Sequence, residues 1–220
     1  MKLGNTEILW TGHSGILIKT NKIIYIDPYK ISGDKPKADI ILLTHSHYDH
    51  CSLEDIERIS KPGTVVIVPP DCQSKITKIE NVSMQIMIPG DDISVEGIKI
   101  CAVPAYNTNK EYHPKSEEWN GYILKRDNLV IYHAGDSDSI PEMQRLSGYG
   151  KQGNEFIAFL PVDGKFGMSA EEAADAASII KPMIAVPIHF GSIVGDVKDA
   201  ERFVKLCGAK GIKAVILEKS

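Results

Sequence analysis

The sequence predicts a mixed α/β (α+β) protein in which sheets pack together with helices outside. Three observations predict it. Short β-branched runs crowd the early chain, strands and helical patterns mix later, and the two halves are each β-rich yet each carry helices. The 220 residues are 43% hydrophobic and 25% charged, an ordinary globular balance with enough apolar mass for a substantial core. Extensive disorder is thereby excluded. Without a linker, repeat or low-complexity tract, a single domain over residues 1–220 is expected.

Glu7 to Trp10, Gly15 to Lys19 and Lys22 to Ile26 read as a meander, with a short hairpin near Asn21. Asp39 to Thr44 is a continuous apolar run, the pattern of a strand buried on both faces. A helix is expected from Ser52, with Asp55 three residues on as an approximate capping box and Pro62-Gly63 as its stop. Thr64 to Val68 is the next strand. Asn81 to Val103 holds further strands, broken by Pro89-Gly-Asp-Asp92. Gly121 to Leu124 and Leu129 to Tyr132 flank Asp127-Asn128 as a hairpin, and Ser139-Ile-Pro-Glu142 opens a helix. Phe156 to Leu160 is a strand. Ser169 and Glu172 form a capping box for a helix that puts Ala173, Ala176, Ala177 and Ile180 on one face. A strand over Ala185 to Ile188, a helix over Ala200 to Leu206 and a last strand over Ala214 to Leu217 complete the order.

Charge and cysteine content narrow the function. The net charge is -4 and the pI about 6.0, so no global positive field invites nucleic acid or an anionic membrane. Cys51, Cys72, Cys101 and Cys207 are well spread, which fits free thiols in a reducing compartment and argues against a disulfide scaffold. The first residues lack a signal peptide's apolar stretch, and no apolar run approaches 18 residues. These features lead to the expectation of a cytoplasmic protein with a small-molecule substrate, no nucleic-acid partner and no membrane. Self-association into a homo-oligomer stays open.

The decisive segment is Thr44-His45-Ser-His47-Tyr-Asp49-His50, three histidines and an aspartate just after a buried strand, in a chain with 7 histidines. Imidazole nitrogen and carboxylate oxygen are ligands of borderline and hard divalent metals. Alternate side chains share a side, so His45 and His47 can grip one ion, while Asp49 and His50 at the turn can face a second. Asp27, Asp136 and His189 each follow a strand, where loops gather distant residues into a pocket. Asp136, as a carboxylate, is the candidate bridge between two cations.

His45-x-His47-x-Asp49-His50, Gly135-Asp136 and a strand-end His189 resemble the metallo-β-lactamase superfamily, with motifs in family order from Asp27 to His189. Trp10-Thr-Gly-His13-Ser-Gly15, Ile26-Asp-Pro-Tyr29, Tyr132-His-Ala-Gly-Asp136, Ile140-Pro-Glu-Met143 and Met168-Ser-Ala-Glu-Glu-Ala173 are similar to the branch of ascorbate-6-phosphate lactonase-like and uncharacterised metal-dependent hydrolases. The resemblance implies a four-layer αββα sandwich with a one- or two-metal site at one edge of the sheets. It implies His45, His47, Asp49, His50, Asp136 and His189 as ligands. One zinc or two is the implied cofactor, manganese and iron also suiting a mixed imidazole and carboxylate set.

The chain departs from the family at Asn107, in Val103-Pro-Ala-Tyr-Asn107, where a further histidine is expected; a neutral amide is a poor zinc ligand. His113, six residues on, is a substitute ligand, a substrate-facing acid, a phosphate binder or a loop histidine. Asp27 is expected to orient a ligand histidine through its far nitrogen, with Thr44 in similar work. His13 lines the pocket or caps a turn. Lys110, Lys115 and Lys165 are candidates to meet an anionic substrate, and Cys51 reads as a small buried residue. The expected activity is metal-dependent hydrolysis of an ester-type bond, a lactone or phosphodiester, with metal-acidified water as nucleophile. Asp49 would orient that water, and His113 or a lysine would protonate the leaving group. The alternatives are a nucleic-acid hydrolase of the same superfamily, a di-iron redox enzyme on this fold and a non-catalytic metal-binding protein.

Overall fold

The computed structural model describes residues 1–220, with the side chain of Gln152 left out. It is mixed α/β with two multi-stranded sheets, the class the sequence predicts, and it divides into two compact units. The first is Met1–Ile88 with Leu217–Ser220; the second is Pro89–Ile216.

The first unit holds a seven-stranded sheet in sequential order: β1 (Lys2–Leu3), β2 (Thr6–Gly12), β3 (Gly15–Lys19), β4 (Ile23–Ile26), β5 (Ile40–Leu42), β6 (Thr64–Val68) and β7 (Val82–Ile86). Strands β1 to β4 form an antiparallel meander and β4 to β7 run parallel. The parallel part follows from the crossover helices α1 (Leu53–Ile59) and α2 (Gln73–Ile76). Ser52 caps α1 by accepting from Asp55 N. Asp55 in turn accepts from the Ser52 hydroxyl at 2.7 Å. Its carboxylate accepts from Lys30 N and Ile31 N at 2.7 and 2.9 Å and so pins the loop after β4. Leu17, Tyr25, Ile41 and Val66 form one apolar face with Ile56 and Ile59 of α1 and Ile76 of α2, while Ile16, Ile24, Ile40 and Ile67 on the alternate positions are buried too. The unbroken apolar reading of β5 thus reflects burial on both faces.

The second unit repeats this plan with the order β13-β12-β11-β10-β9-β8. β8 (Asp92–Val95), β9 (Ile98–Pro104), β10 (Asn120–Arg126) and β11 (Leu129–His133) are antiparallel; β12 (Glu155–Pro161) and β13 (Ile184–Ile188) continue from β11 in parallel. α3 (Ala170–Ile180) begins with the expected capping box: Glu172 N donates to Ser169 Oγ at 3.2 Å and Ser169 N to the Glu172 carboxylate at 2.8 Å. α4 (Val197–Ala209) follows β13.

Two element readings are corrected. The helix expected from Ser139 is a 3-10 segment, Pro141–Gln152. The last expected strand, Ala214 to Leu217, is absent. Ala214 makes a single bridge to Ala185, and Lys219 another to Trp10. Ala214, Val215 and Leu217 are half-buried and Ile216 is exposed, so the apolar run is only partly covered.

Candidate functional site

In both sheets the polar side chains collect where parallel strands end. The register of β4 on β5, Ile26 opposite Leu42, sets Asp27 beside Thr44. Asp27 takes a left-handed backbone at φ 45°, rare for a residue with a Cβ, and is fully buried. Its carboxylate accepts from Thr44 N at 2.8 Å and Thr44 Oγ1 at 2.7 Å, and lies 2.8 Å from His50 Nδ1. An ionised carboxylate only accepts, so the His50 proton sits on Nδ1 and Nε2 presents the electron pair. The Thr44 hydroxyl gives its proton to Asp27 and lies 2.9 Å from His45 Nδ1, which assigns the His45 proton to that nitrogen as well.

His45 Nε2 lies 3.1 Å from His47 Nδ1. His13, also left-handed at φ 53°, places Nε2 2.9 Å from Asp49 Oδ2, which is 3.4 Å from His50 Nε2. The ligand-type atoms of His13, Asp49 and His50 lie within 4.8 Å of one another. The loop is shaped by His50 N and Cys51 N both donating to His47 O, and Lys75 Nζ donates to Ser46 O. Cys51 is buried beside Cys72; a hydrogen bond from the Cys72 thiol and then the Lys75 ammonium hold its own thiol below the usual range against desolvation. Among the predicted residues, the first unit thus brings together His13, Asp27, His45, His47, Asp49 and His50.

The second unit assembles His113, Asp136 and His189 with Asn107. β11, β12 and β13 are adjacent and parallel, so the residues after them, Asp136, Asp163 and His189, share one sheet end. His189 Nδ1 lies 2.9 Å from Asp163 Oδ2, and its Nε2 lies 3.0 Å from Asp136 Oδ2. His113 Nε2 lies 3.5 Å from the same Asp136 oxygen. Asn107 turns its oxygen to His113 and its nitrogen to the surrounding loops. Its Oδ1 accepts from His113 N at 3.2 Å and faces His113 Nδ1 at 3.1 Å. Its Nδ2 is shared among Asp136 O, Asp138 Oδ1 and Phe166 O at 3.3, 3.2 and 2.9 Å. The amide orders the loop and commits the His113 proton to Nδ1.

The unforeseen residue is Asp163. Its Oδ1 accepts from Lys165 N and Phe166 N at 2.8 and 2.6 Å, so one carboxylate turns the loop after β12 and orients His189. The signal was present, since Asp163 follows the strand Phe156 to Leu160 as Asp136 and His189 follow theirs. Of the lysines, Lys110 is engaged by Asp138 and Lys115 by Glu142 and Tyr106. Lys165 lies over the Phe166 ring. His133 is buried, accepts from Gly135 N at 3.2 Å and stacks on Phe159.

This donor chemistry fits a divalent cation. His50, His113 and His189 each have Nδ1 turned to an oxygen acceptor, and each Nε2 electron pair then faces a carboxylate, an arrangement that a cation relieves.

The comparisons agree with that chemistry. The β-lactamase superfamily domain model matches residues 7–189. A UPF0173 metal-dependent hydrolase of Thermoplasma acidophilum is 32% identical over 97% of this chain and 96% of its own. This chain belongs to the metallo-β-lactamase superfamily and, within it, to the UPF0173 metal-dependent hydrolases. Among solved structures, a protein assigned as a metal-dependent hydrolase from Parabacteroides distasonis is 34% identical with a TM-score of 0.83, covering 98% of this chain and 94% of that one. The metallo hydrolase Igni18 of Ignicoccus hospitalis, 24% identical, shares the fold at a TM-score of 0.76 over 98% of this chain and 96% of its own. The family model thus takes in all six histidines and aspartates expected as ligands, from His45 to His189.

Proposed function

We propose that this UPF0173 protein hydrolyses an ester-type bond, a lactone or phosphodiester, of a small anionic substrate, with zinc as its resident cation. The observation that carries the reading is the shared proton arrangement of His50, His113 and His189. An oxygen acceptor fixes each Nδ1, and each Nε2 is offered beside Asp49 or Asp136. The proposed ligands are His45, His47, Asp49 and His50 of the first unit and Asp136 and His189 of the second. His113 takes the place that Asn107 vacates. Bound zinc would supply a Lewis acid and an acidified water.

The chain's own residues do the rest. Asp49 receives a hydrogen bond from His13, which holds its carboxylate in one orientation, and as general base it would accept the proton of a water nucleophile. When it does not ligate, His113, whose Nδ1 proton is committed to Asn107, takes a second proton from solvent at Nε2 and passes it to the leaving group. No helix among the described residues is long and apolar enough to cross a membrane, and the acidic pI supports a small substrate over a nucleic acid.

The test is metal content per chain by elemental analysis of protein purified without added metal, paired with a chelator-sensitive screen on lactones and phosphodiesters. One or two zinc ions and hydrolysis that chelator abolishes are expected. Absence of metal and activity even after reconstitution would overturn the reading.

A further inference from the structure

We propose that Tyr112 and Phe166 form an aromatic wall that selects substrates whose group next to the scissile bond is planar and apolar. The proposal rests on the hydrolase reading and deepens it. Tyr112 is 47% exposed and immediately precedes His113. Its ring meets the half-buried Phe166 ring edge-on, centroids 4.8 Å apart at 75°. Phe166 in turn stands 6.2 Å from the His189 imidazole at 83°. A pair of large rings left partly open to water beside donor imidazoles forgoes burial that a core position would give, and such surface marks a contact for a ligand.

The wall is built rather than incidental. Phe166 N donates to Asp163 Oδ1 at 2.6 Å, and Phe166 O accepts from Asn107 Nδ2 at 2.9 Å. These same two residues orient His189 and His113. Ring position and imidazole position are therefore set by shared hydrogen bonds, so a planar group lying against the rings is held in fixed relation to the reacting bond. Edge-on packing of Tyr112 on Phe166 leaves ring faces and edges for offset or T-shaped contact with a third ring. Lys165 Nζ sits 4.7 Å from the Phe166 centroid and supplies a positive charge at the wall for an anionic substituent.

The probes are benzoate, cyclohexanecarboxylate and acetate, bound at equilibrium to the protein incubated with zinc and to Phe166→Leu and Tyr112→Ala treated alike, with zinc stoichiometry measured in each. All three probes carry one carboxylate, so differences report the organic group. Benzoate is expected to bind about tenfold more tightly than acetate and severalfold more tightly than cyclohexanecarboxylate. Each variant should lose most of the benzoate preference, with acetate binding and zinc content unchanged. Equal binding of benzoate and acetate, equal binding of benzoate and cyclohexanecarboxylate, or a preference that survives both substitutions would overturn the proposal. A preference that is present and lost in the variants while the wild type takes up no zinc would support the wall and overturn the hydrolase reading instead.

Discussion

His189 donates its Nδ1 proton to Asp163 across 2.9 Å, as His50 does to Asp27 across 2.8 Å. In each unit, then, an aspartate one or two residues past a parallel strand fixes the tautomer of a strand-end or loop histidine. Such an acceptor raises the basicity of the opposite nitrogen and locks the ring, and its loss typically weakens a metal site by 10–100-fold. Asp163→Asn should therefore lower zinc affinity by roughly tenfold or more while the chain stays folded, read by competition with a chelating dye. Unchanged affinity would show that Asp163 serves the loop alone.

Asn107 and His113 should separate in a paired test. Removing the His113 imidazole takes away a donor beside Asp136, whereas Asn107→Ala takes away the group that aims it. His113→Ala is expected to impair turnover more than Asn107→Ala does. Asn107→Ala should instead cost more in folding stability, about 2 kcal/mol, because Asp138 and the Phe166 carbonyl lose a buried donor. Denaturant melts and kinetics on one substrate check both halves; the reverse activity ranking would mean that the amide itself holds the metal.

Much of this was legible from the chain, because strand ends and ligand chemistry leave local signals. The histidine cluster is contiguous, and Asp27, Asp136 and His189 each close a β-branched run. Asp163 does not stand out in the sequence although its strand does, since a lone Val-Asp-Gly looks like any turn until β11, β12 and β13 lie side by side. The hydrogen bonds of Asn107 were beyond reach for the same reason. Its partners, Asp138 and Phe166, are 31 and 59 residues away in sequence. The strand expected at Ala214 to Leu217 shows the converse limit, since an apolar run that meets the β13 edge only around Ala185 does not extend into a ladder.

His47→Ala and Asp136→Ala should each reduce bound metal and abolish activity with the fold intact. Each removes a donor and leaves its neighbours' orienting bonds, Thr44 to His45 and Asp163 to His189, in place. Elemental analysis beside circular dichroism checks this, and full metal stoichiometry in both variants would remove the ligand assignment.

Away from the histidines, Asp39 gives a pH prediction with a definite sign. Partial burial raises its pKa, but the Lys61 ammonium at 2.7 Å and the Ile23 N–H at 2.7 Å outweigh that and hold the carboxyl below the usual range. A group depressed on folding contributes stability that is complete above its unfolded pKa, near 4, and is lost as pH falls through the folded value. Asp39→Asn keeps an acceptor for Ile23 and loses the charge. It should be less stable than the wild type by about 1 kcal/mol at pH 7, with the gap closing below about pH 4. Both proteins are compared with chelator present, because protonation of metal ligands would otherwise add its own acid limb. A gap that stays constant from pH 7 down to pH 2.5 would mean that shape, and not the Asp39 charge, ties β4 to the start of β5.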